Sequence, residues 1–333
     1  MKGHKMRAKT WLMVLALAAA CPAFARATEK VTITTITDPA YESAVWAIVN
    51  GKVSDPAVTV SVSTQPMARN PQSTMQQEFN LSSTGLQSVP ALAEQGVHMK
   101  ILATAYRYNP EGHADDIWVL KDSPYKTMAD LKGKTLATQG MENQGTVSLR
   151  TVIAEKYGLN PQPIGGDFRW VELPPPQLEP ALQTGKIDAA VLGTVPAYMA
   201  EKRGLYRSIL HGSKELDTLY GGPMPTVVWA AYDDDLNRRP DVYRAVVRLL
   251  RESSEYLMAH EDEVFAAVAP RYKMDVADLK QWFNEYASMP GVISASDRKI
   301  YEKSWQAAAK LGMIQKAPAN PDEFIWSEAQ VVR

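Results

Sequence analysis

DLKGKTLATQGMENQGTVSLRTVIAEKYGLNPQPIGGDFRWVELPPPQLEPALQTGKIDAAVLGTVPAYMAEKRG, residues 130–204, is the stretch that decides the fold. Apolar runs at 134–138, 168–173 and 187–192 predict strands. Between them, residues 147–157 show helical spacing up to Gly158, and a second helix is predicted from Pro175 to Gly185. Strands that alternate with helices in this way predict βαβ units on a parallel sheet. Such sheets bind ligands beyond the carboxyl ends of their strands.

The preceding part of the chain repeats this alternation. Strands are predicted at 31–36, 58–62, 79–81 and 99–105. Asp38 and Pro39 form a cap-then-proline signal for the first helix, and residues 82–85 are predicted as a loop that opens a helix up to Glu94. Two apolar extended segments, 116–120 and 227–232, are interpreted as crossovers between two lobes. A polar stretch at 211–222 precedes the second crossover, and helices follow from Asp235.

Three motifs at matching spacing carry a family resemblance: DLKGK at 130–134, LPPP at 173–176 and LQTGKIDAA at 182–190. Together they resemble the second lobe of solute-binding proteins of ABC importers, in the sulfonate, taurine and nitrate group that is related to thiamine-pyrimidine synthases. The expected fold is α/β, a type II periplasmic binding protein fold with parallel-rich sheets, flanking helices and a cleft between two lobes. We expect a signal peptide at 1–27, lobe 1 at 28–118, lobe 2 at 119–224, and a return crossover with helices on lobe 1 at 225–333.

The N-terminus predicts export. Four basic residues precede an apolar run at 11–20 that is too short to span a bilayer, and Ala23-x-Ala25 or Ala25-x-Ala27 suits a cleavage site. Cys21 is the only cysteine. It is interpreted as part of the discarded leader, with a lipid anchor as the alternative. The mature chain is then expected to be periplasmic, to lack disulfides and to depend on its hydrophobic core.

Charge limits the class of partner. The whole chain has a net charge of −1, with 36 basic and 37 acidic residues. The leader holds five basic residues and no acidic one, so 31 basic residues remain and the mature charge is −6. A mixed, acidic surface argues against nucleic acid or an anionic membrane as the partner. A small anion can still bind, because local dipoles decide its affinity.

Small polar residues at predicted strand ends indicate the ligand site. Helix N-termini present unpaired N–H groups and a partial positive charge, so several of them together can hold a sulfonate or carboxylate without a lysine; ordinary helix capping is the alternative. The family resemblance implies ligand contacts at the same positions and near 224–226. The implied contacts are Thr37, Ser83, Thr84, Gln139, Gln144, Thr146, Gly193, Thr194, Met224 and Thr226. Tyr106 and Arg107 follow a strand and suit stacking and anion pairing, or else a solvated rim.

Enzymatic motifs are missing from the sequence. None of the five histidines pairs with another at a metal-ligand spacing, and the chain has no G-x-S-x-G, Walker A or G-x-G-x-x-G motif. We therefore expect a monomeric binding protein without catalytic residues, metal or cofactor. The resemblance implies capture of a small organic anion, taurine-like or another sulfonate, and delivery to an ABC permease and its ATPase. A ligand-presenting sensory protein, or an importer component for nitrate, aromatic carboxylates or pyrimidines, is the alternative.

Overall fold

The computed structural model describes residues 28–329 and 331–332, so the predictions on the leader and on Cys21 lie outside the described residues. The first segment alternates four strands with three helices. These elements are β1 (Glu29–Ile36), α1 (Pro39–Val49), β2 (Val58–Gln65), α2 (Asn70–Met75), β3 (Leu81–Gly85), α3 (Ser88–Ala93) and β4 (Met99–Tyr108).

The middle segment contains five strands and four helices. They are β5 (Asp116–Leu120), β6 (Thr135–Thr138), α4 (Gln144–Tyr157), β7 (Arg169–Glu172), α5 (Pro175–Gln183), β8 (Ala189–Leu192), α6 (Thr194–Arg203), β9 (Tyr206–Leu210) and α7 (Gly212–Tyr220). The last segment returns as one long strand and then becomes mainly helical. It consists of β10 (Pro225–Tyr232), α8 (Asp233–Arg238), α9 (Pro240–Ala259), α10 (Glu261–Val268), α11 (Val276–Tyr286), β11 (Ala287–Ser288), β12 (Ile293–Ser294), α12 (Ala295–Lys310) and β13 (Val331–Val332).

The two main sheets share one strand order. The first sheet runs β11-β4-β10-β3-β1-β2 and the second runs β7-β6-β8-β5-β9. Apart from β11, each sheet contains one strand that arrives from the other lobe. In the first sheet β10 lies between β3 and β4, and in the second sheet β5 lies between β8 and β9. These crossover strands, β10 and β5, are antiparallel to both of their neighbours, whereas β1 and β6 pair in parallel with theirs. This arrangement is the predicted two-lobed, type II architecture.

Local signals explain the elements that the sequence predicts. The Asp38 side chain accepts a hydrogen bond of 2.9 Å from the Ala40 amide, and Pro39 occupies the first position of α1. Gly158 ends α4 with a φ of 63°, a conformation that costs glycine little. Every residue of β8 is buried, which explains its continuous apolar run.

One local prediction is wrong, and two elements were not predicted. Residues 82–85 do not open a helix; they complete β3, where the Ser83 hydroxyl pairs with that of Thr35 at 3.0 Å, and α3 begins only at Ser88. The polar stretch at 211–222 contains α7, which buries Leu216 and Tyr220 four residues apart. The strand β9 was not predicted. In each case tertiary packing outweighs a weak local signal.

The C-terminal helices lie against both lobes. Helices α9 and α10 pack on α1, whereas α12 contacts α4 and α7 of the second lobe as well as β10. None of the helices in the described part of the chain combines the length and apolar character that crossing a bilayer demands.

Candidate functional site

The strand ends of the two lobes face each other and are in contact, and this interface between the lobes is called the cleft below. The Gln87 amide of lobe 1 donates a hydrogen bond of 3.1 Å to Oε1 of Gln144, the first residue of α4 in lobe 2. On the same side, Nδ2 of Asn143 lies 3.0 Å from Sδ of Met67. These contacts bring the start of α4 against the ends of β3 and β2.

Two tyrosines form an aromatic wall on the lobe 1 side. The rings of Tyr41, in α1, and Tyr106, in β4, stack with centroids 5.6 Å apart at 20°. Both side chains are buried, and among the described residues the Tyr106 hydroxyl has no hydrogen-bond partner. Burial raises the pKa of both phenols well above 10, and the carboxylates of Asp38 and Asp115 raise each further.

Those two carboxylates complete the cleft. Asp115 is only 6% exposed, and burial, with a smaller effect of Asp116, raises its pKa to about 7. Burial also raises the pKa of Asp38 to about 6, although the Ala40 amide opposes this shift by donating to the carboxylate. The ionisable groups around the tyrosine pair are therefore acidic.

The Asp115 side chain reaches two helix N-termini of lobe 2. Its carboxylate lies against Gly145, in the first turn of α4, and against Gly193, the N-cap of α6. A methyl group added at either glycine would collide with this carboxylate. The ends of β6 and β8, which the sequence analysis predicts as anion-binding positions, are thus in contact with a carboxylate of the chain itself.

Several residues that the sequence analysis predicts as ligand contacts lie at or near this cleft. Ser83 and Thr84 are buried in β3, and Gln144 Oε1 approaches the last residue of that strand, Gly85. The Thr146 hydroxyl pairs with that of Thr138 at 2.5 Å, at the end of β6. Gln139, which is partly buried, follows the same strand, and Gly193 and Thr194 begin α6.

The remaining predicted contacts are Arg107, Thr37, Met224 and Thr226. Arg107 binds Asp297 through three hydrogen bonds of 2.7–3.1 Å. Thr37 is exposed, and Met224 is fully buried, with its carbonyl accepting from the Tyr108 amide at 3.0 Å. Thr226 is buried in β10, and its hydroxyl has no partner among the described residues.

A histidine cluster at the hinge was missed by the sequence analysis. The rings of His113 and His211 stack 4.3 Å apart, and Nδ1 of His113 lies 2.6 Å from Oδ2 of Asp116. This hydrogen bond is the main cause of the raised pKa of His113. Candidate ligand atoms of the three residues lie within 4.8 Å of one another. His211 lies far along the chain from His113 and Asp116, so only the fold brings it to them.

This cluster is better explained as a hinge than as a metal centre. The second carboxylate oxygen of Asp116 accepts from the Gly212 amide at 2.7 Å, and Nε2 of His211 lies 2.7 Å from the Gly112 carbonyl. These hydrogen bonds occupy both carboxylate oxygens of Asp116 and one ring nitrogen of each histidine. The cluster instead links the first crossover to the start of α7.

Comparison with known proteins provides the family and the fold. The sequence profile of the family described as NMT1/THI5 like matches residues 58–264. No curated protein sequence is significantly similar to the chain. The periplasmic aliphatic sulphonate binding protein SsuA from Escherichia coli superposes with a TM-score of 0.70 at 17% identity, over 90% of this chain and 98% of that one.

Two further solved structures share the fold. The alkanesulfonate-binding protein SsuA from Xanthomonas axonopodis pv. citri, bound to MOPS, has a TM-score of 0.66 at 17% identity, over 90% of this chain and 99% of that one. The desulfurization enzyme DSZB has a TM-score of 0.61 at 12% identity, over 90% and 97% of the respective chains. The fold is therefore common to binding proteins and to an enzyme, so the function of this chain has to be argued from the residues of its site.

Proposed function

Because this chain belongs to the NMT1/THI5-like family, we propose that it is the extracytoplasmic substrate-binding component of an ABC importer. The observation that carries the proposal is the cleft between two sheets of identical strand order, which is lined from both lobes and bridged by Gln87 and Gln144. Two lobes joined by crossover strands close around a ligand by hinge motion. The closed form is then the state that a permease recognises.

The proposed ligand is a small organic sulfonate, with taurine-like molecules foremost. Buried hydroxyls at the end of β3 and the Tyr41–Tyr106 wall support a molecule with both polar and apolar parts. The names of the superposed sulfonate-binding proteins support the same class. Nitrate, aromatic carboxylates and pyrimidines are the alternatives. We further propose a periplasmic monomer that docks on a permease and its ATPase.

A thermal-shift screen of the purified protein tests this function. The panel contains alkanesulfonates, taurine, nitrate, aromatic carboxylates and aminopyrimidines. A ligand that is present at 100 times its Kd adds about 2.7 kcal/mol to the free energy of unfolding, which raises the melting temperature by several degrees. If no compound shifts melting and none gives heat in calorimetry, the chain is not a binding protein of this kind.

Import and catalysis are separated by two further measurements. The ligand-loaded protein should stimulate ATP hydrolysis by its permease–ATPase complex in vesicles; a sensory protein with the same cleft would not. Catalysis is not proposed, because the sequence shows no catalytic motif and its one cysteine, Cys21, lies in the predicted leader. Recovery of the bound compound unchanged after long incubation, measured by mass spectrometry, would support binding alone.

A further inference from the structure

Asp115 is a buried carboxylate without a partner. It is 94% shielded from solvent, and no described residue donates a hydrogen bond to its side chain; its raised pKa reflects burial and the charge of Asp116. Its neighbour Asp116 contrasts with it, because it binds His113 and the Gly212 amide. Buried carboxylates are normally hydrogen-bonded, so one between the two lobes to which no described residue donates points to a missing donor.

The backbone holds Asp115 in an uncommon conformation. Its φ is 56°, in the left-handed region that few residues other than glycine adopt. Such conformations persist where the surrounding structure imposes them, and they concentrate at functional sites. Here the conformation directs the carboxylate toward Gly145 and Gly193, the two positions where the absence of a side chain leaves room for it.

The charge around Asp115 is unfavourable for a second anion. Asp116 raises the pKa of Asp115, and Asp38 and Asp115 raise the pKa of both tyrosines, so the charged groups that act on these side chains are acidic. Arg107, the cation that the sequence analysis assigned to the ligand, is bound to Asp297 instead. A sulfonate at the N-termini of α4 and α6 would have to occupy space next to a carboxylate that already benefits from those helix dipoles.

The same surroundings suit a cation. Stacked tyrosine rings attract positive charge through their faces, and the unpartnered Tyr106 hydroxyl supplies an acceptor beside them. We propose that the ligand of this cleft carries a cationic nitrogen group, an ammonium or an amidinium, that binds the Asp115 carboxylate against the Tyr41–Tyr106 wall. The inference rests on the proposed binding function and narrows its ligand class to molecules with such a group.

Matched probe pairs test the inference. The pairs are taurine with isethionate, benzamidine with benzamide, and putrescine with 1,4-butanediol; within each pair only the first member carries the cationic nitrogen. Calorimetry on the purified protein should show binding of at least one cationic probe, with its neutral or hydroxyl counterpart at least tenfold weaker. Asp115→Asn should weaken the cationic probe at least tenfold and leave the counterpart unchanged. Asparagine has the same shape and tolerates a positive φ, so the variant should fold.

Asp122→Asn is the matched control. Asp122 is exposed just beyond the other end of β5, and its substitution should change neither affinity nor melting temperature. The inference would be overturned if isethionate bound as tightly as taurine or more tightly, or if the Asp115→Asn variant kept its affinity for the cationic probe. Either result would leave the proposed binding function intact. If no probe and no compound of the wider panel bound, both the inference and the proposed function would fall.

Discussion

At the scale of single residues, the Arg107–Asp297 pair is expected to contribute to stability. Asp297 is fully buried and also accepts from the Thr104 hydroxyl at 3.0 Å and the Ser294 amide at 2.8 Å. Arg107→Met leaves this carboxylate without its cation, and we expect a loss of roughly 3–5 kcal/mol in the free energy of unfolding. Urea denaturation measures it.

An exposed ion pair provides the control for that substitution. Arg248 binds Asp55 at 2.6 Å, but its side chain is 43% exposed. Arg248→Met should therefore cost less than about 1 kcal/mol. Equal losses in the two variants would show that burial of Asp297 does not set the strength of its pair with Arg107.

The shifted pKa values around the cleft predict an unusual dependence of stability on pH. Burial raises the pKa of Asp115 to about 7 and that of Asp38 to about 6, and it also raises the pKa of Asp116. A carboxyl group with a raised pKa holds its proton longer in the folded state. It therefore destabilises the fold as the pH rises from its unfolded value near 4 to its folded value.

Other titratable groups do not cancel this trend. The pKa of His113 is raised by Asp116, so its contribution to stability is complete below about 6.5 and is lost as the pH rises through its folded value. Carboxylates with lowered pKa values, such as Asp235 and Asp278, lose their stabilising effect only below about pH 4. The ligand-free protein should thus melt at a higher temperature at pH 5 than at pH 8. Asp115→Asn should reduce the difference, and an unchanged difference would contradict the assignment to Asp115.

At the scale of elements, the first turn of α4 depends on glycine at one position. Alanine normally favours a helix over glycine by up to about 1 kcal/mol. At Gly145, however, the added methyl group would collide with the Asp115 carboxylate. We expect Gly145→Ala to destabilise the protein and to weaken ligand binding, because Asp115 must move.

Two comparisons make this prediction specific. Gly140, in the same β6–α4 loop, has open space, with its nearest neighbour the Asn143 Cβ at 3.8 Å, so Gly140→Ala should be close to neutral. In an Asp115→Ala background the collision disappears, and Gly145→Ala should become neutral or stabilising. An additive double-mutant cycle in urea denaturation would show that the two residues do not interact.

Local signals explain why some elements were predicted from the sequence and others were not. The cap at Asp38 and the stop at Gly158 are encoded within a few residues, so α1 and the end of α4 were predicted. The extension of β3 through Ser82–Gly85 depends on pairing with β10, more than 140 residues away in the chain, and no local pattern reports such pairing.

The residues of the candidate site also differ in whether the sequence alone predicts them. Tyr106, Gln144 and Gly193 follow predicted strands, and the structure brings them to the cleft. Asp115 and Tyr41 become functional candidates only when β5 is placed between β8 and β9 and α1 is placed against β4. From the sequence alone Arg107 is available to the ligand, because its partner Asp297 lies 190 residues further along the chain.

At the scale of the whole molecule, the lobes are connected at the cleft and at its rim. Inside the cleft, the Gln87 amide donates to Gln144. At the rim, Lys310 of α12 binds Glu155 of α4 at 2.6 Å, and Tyr198 of α6 donates to Asp278 of α11 at 3.0 Å. Closure therefore combines the Gln87–Gln144 hydrogen bond in the cleft with polar contacts at its rim. An exposed pair such as Lys310–Glu155 contributes little by itself.

Gln144→Met tests whether the bond inside the cleft controls closure. Methionine keeps the length of the side chain but does not accept from the Gln87 amide, so the closed state should lose about 1 kcal/mol. A ligand that binds only the closed form should then bind about fivefold more weakly. Small-angle scattering should show a larger radius of gyration before ligand is added and the same compact value at saturation.

Lys310→Met, which removes the exposed contact at the rim, should change affinity less than twofold. If both variants bound with wild-type affinity and kept the same radius, the link between Gln87 and Gln144 would have no part in closure, and the crossover strands and the Asp115 region would have to set the balance between open and closed forms.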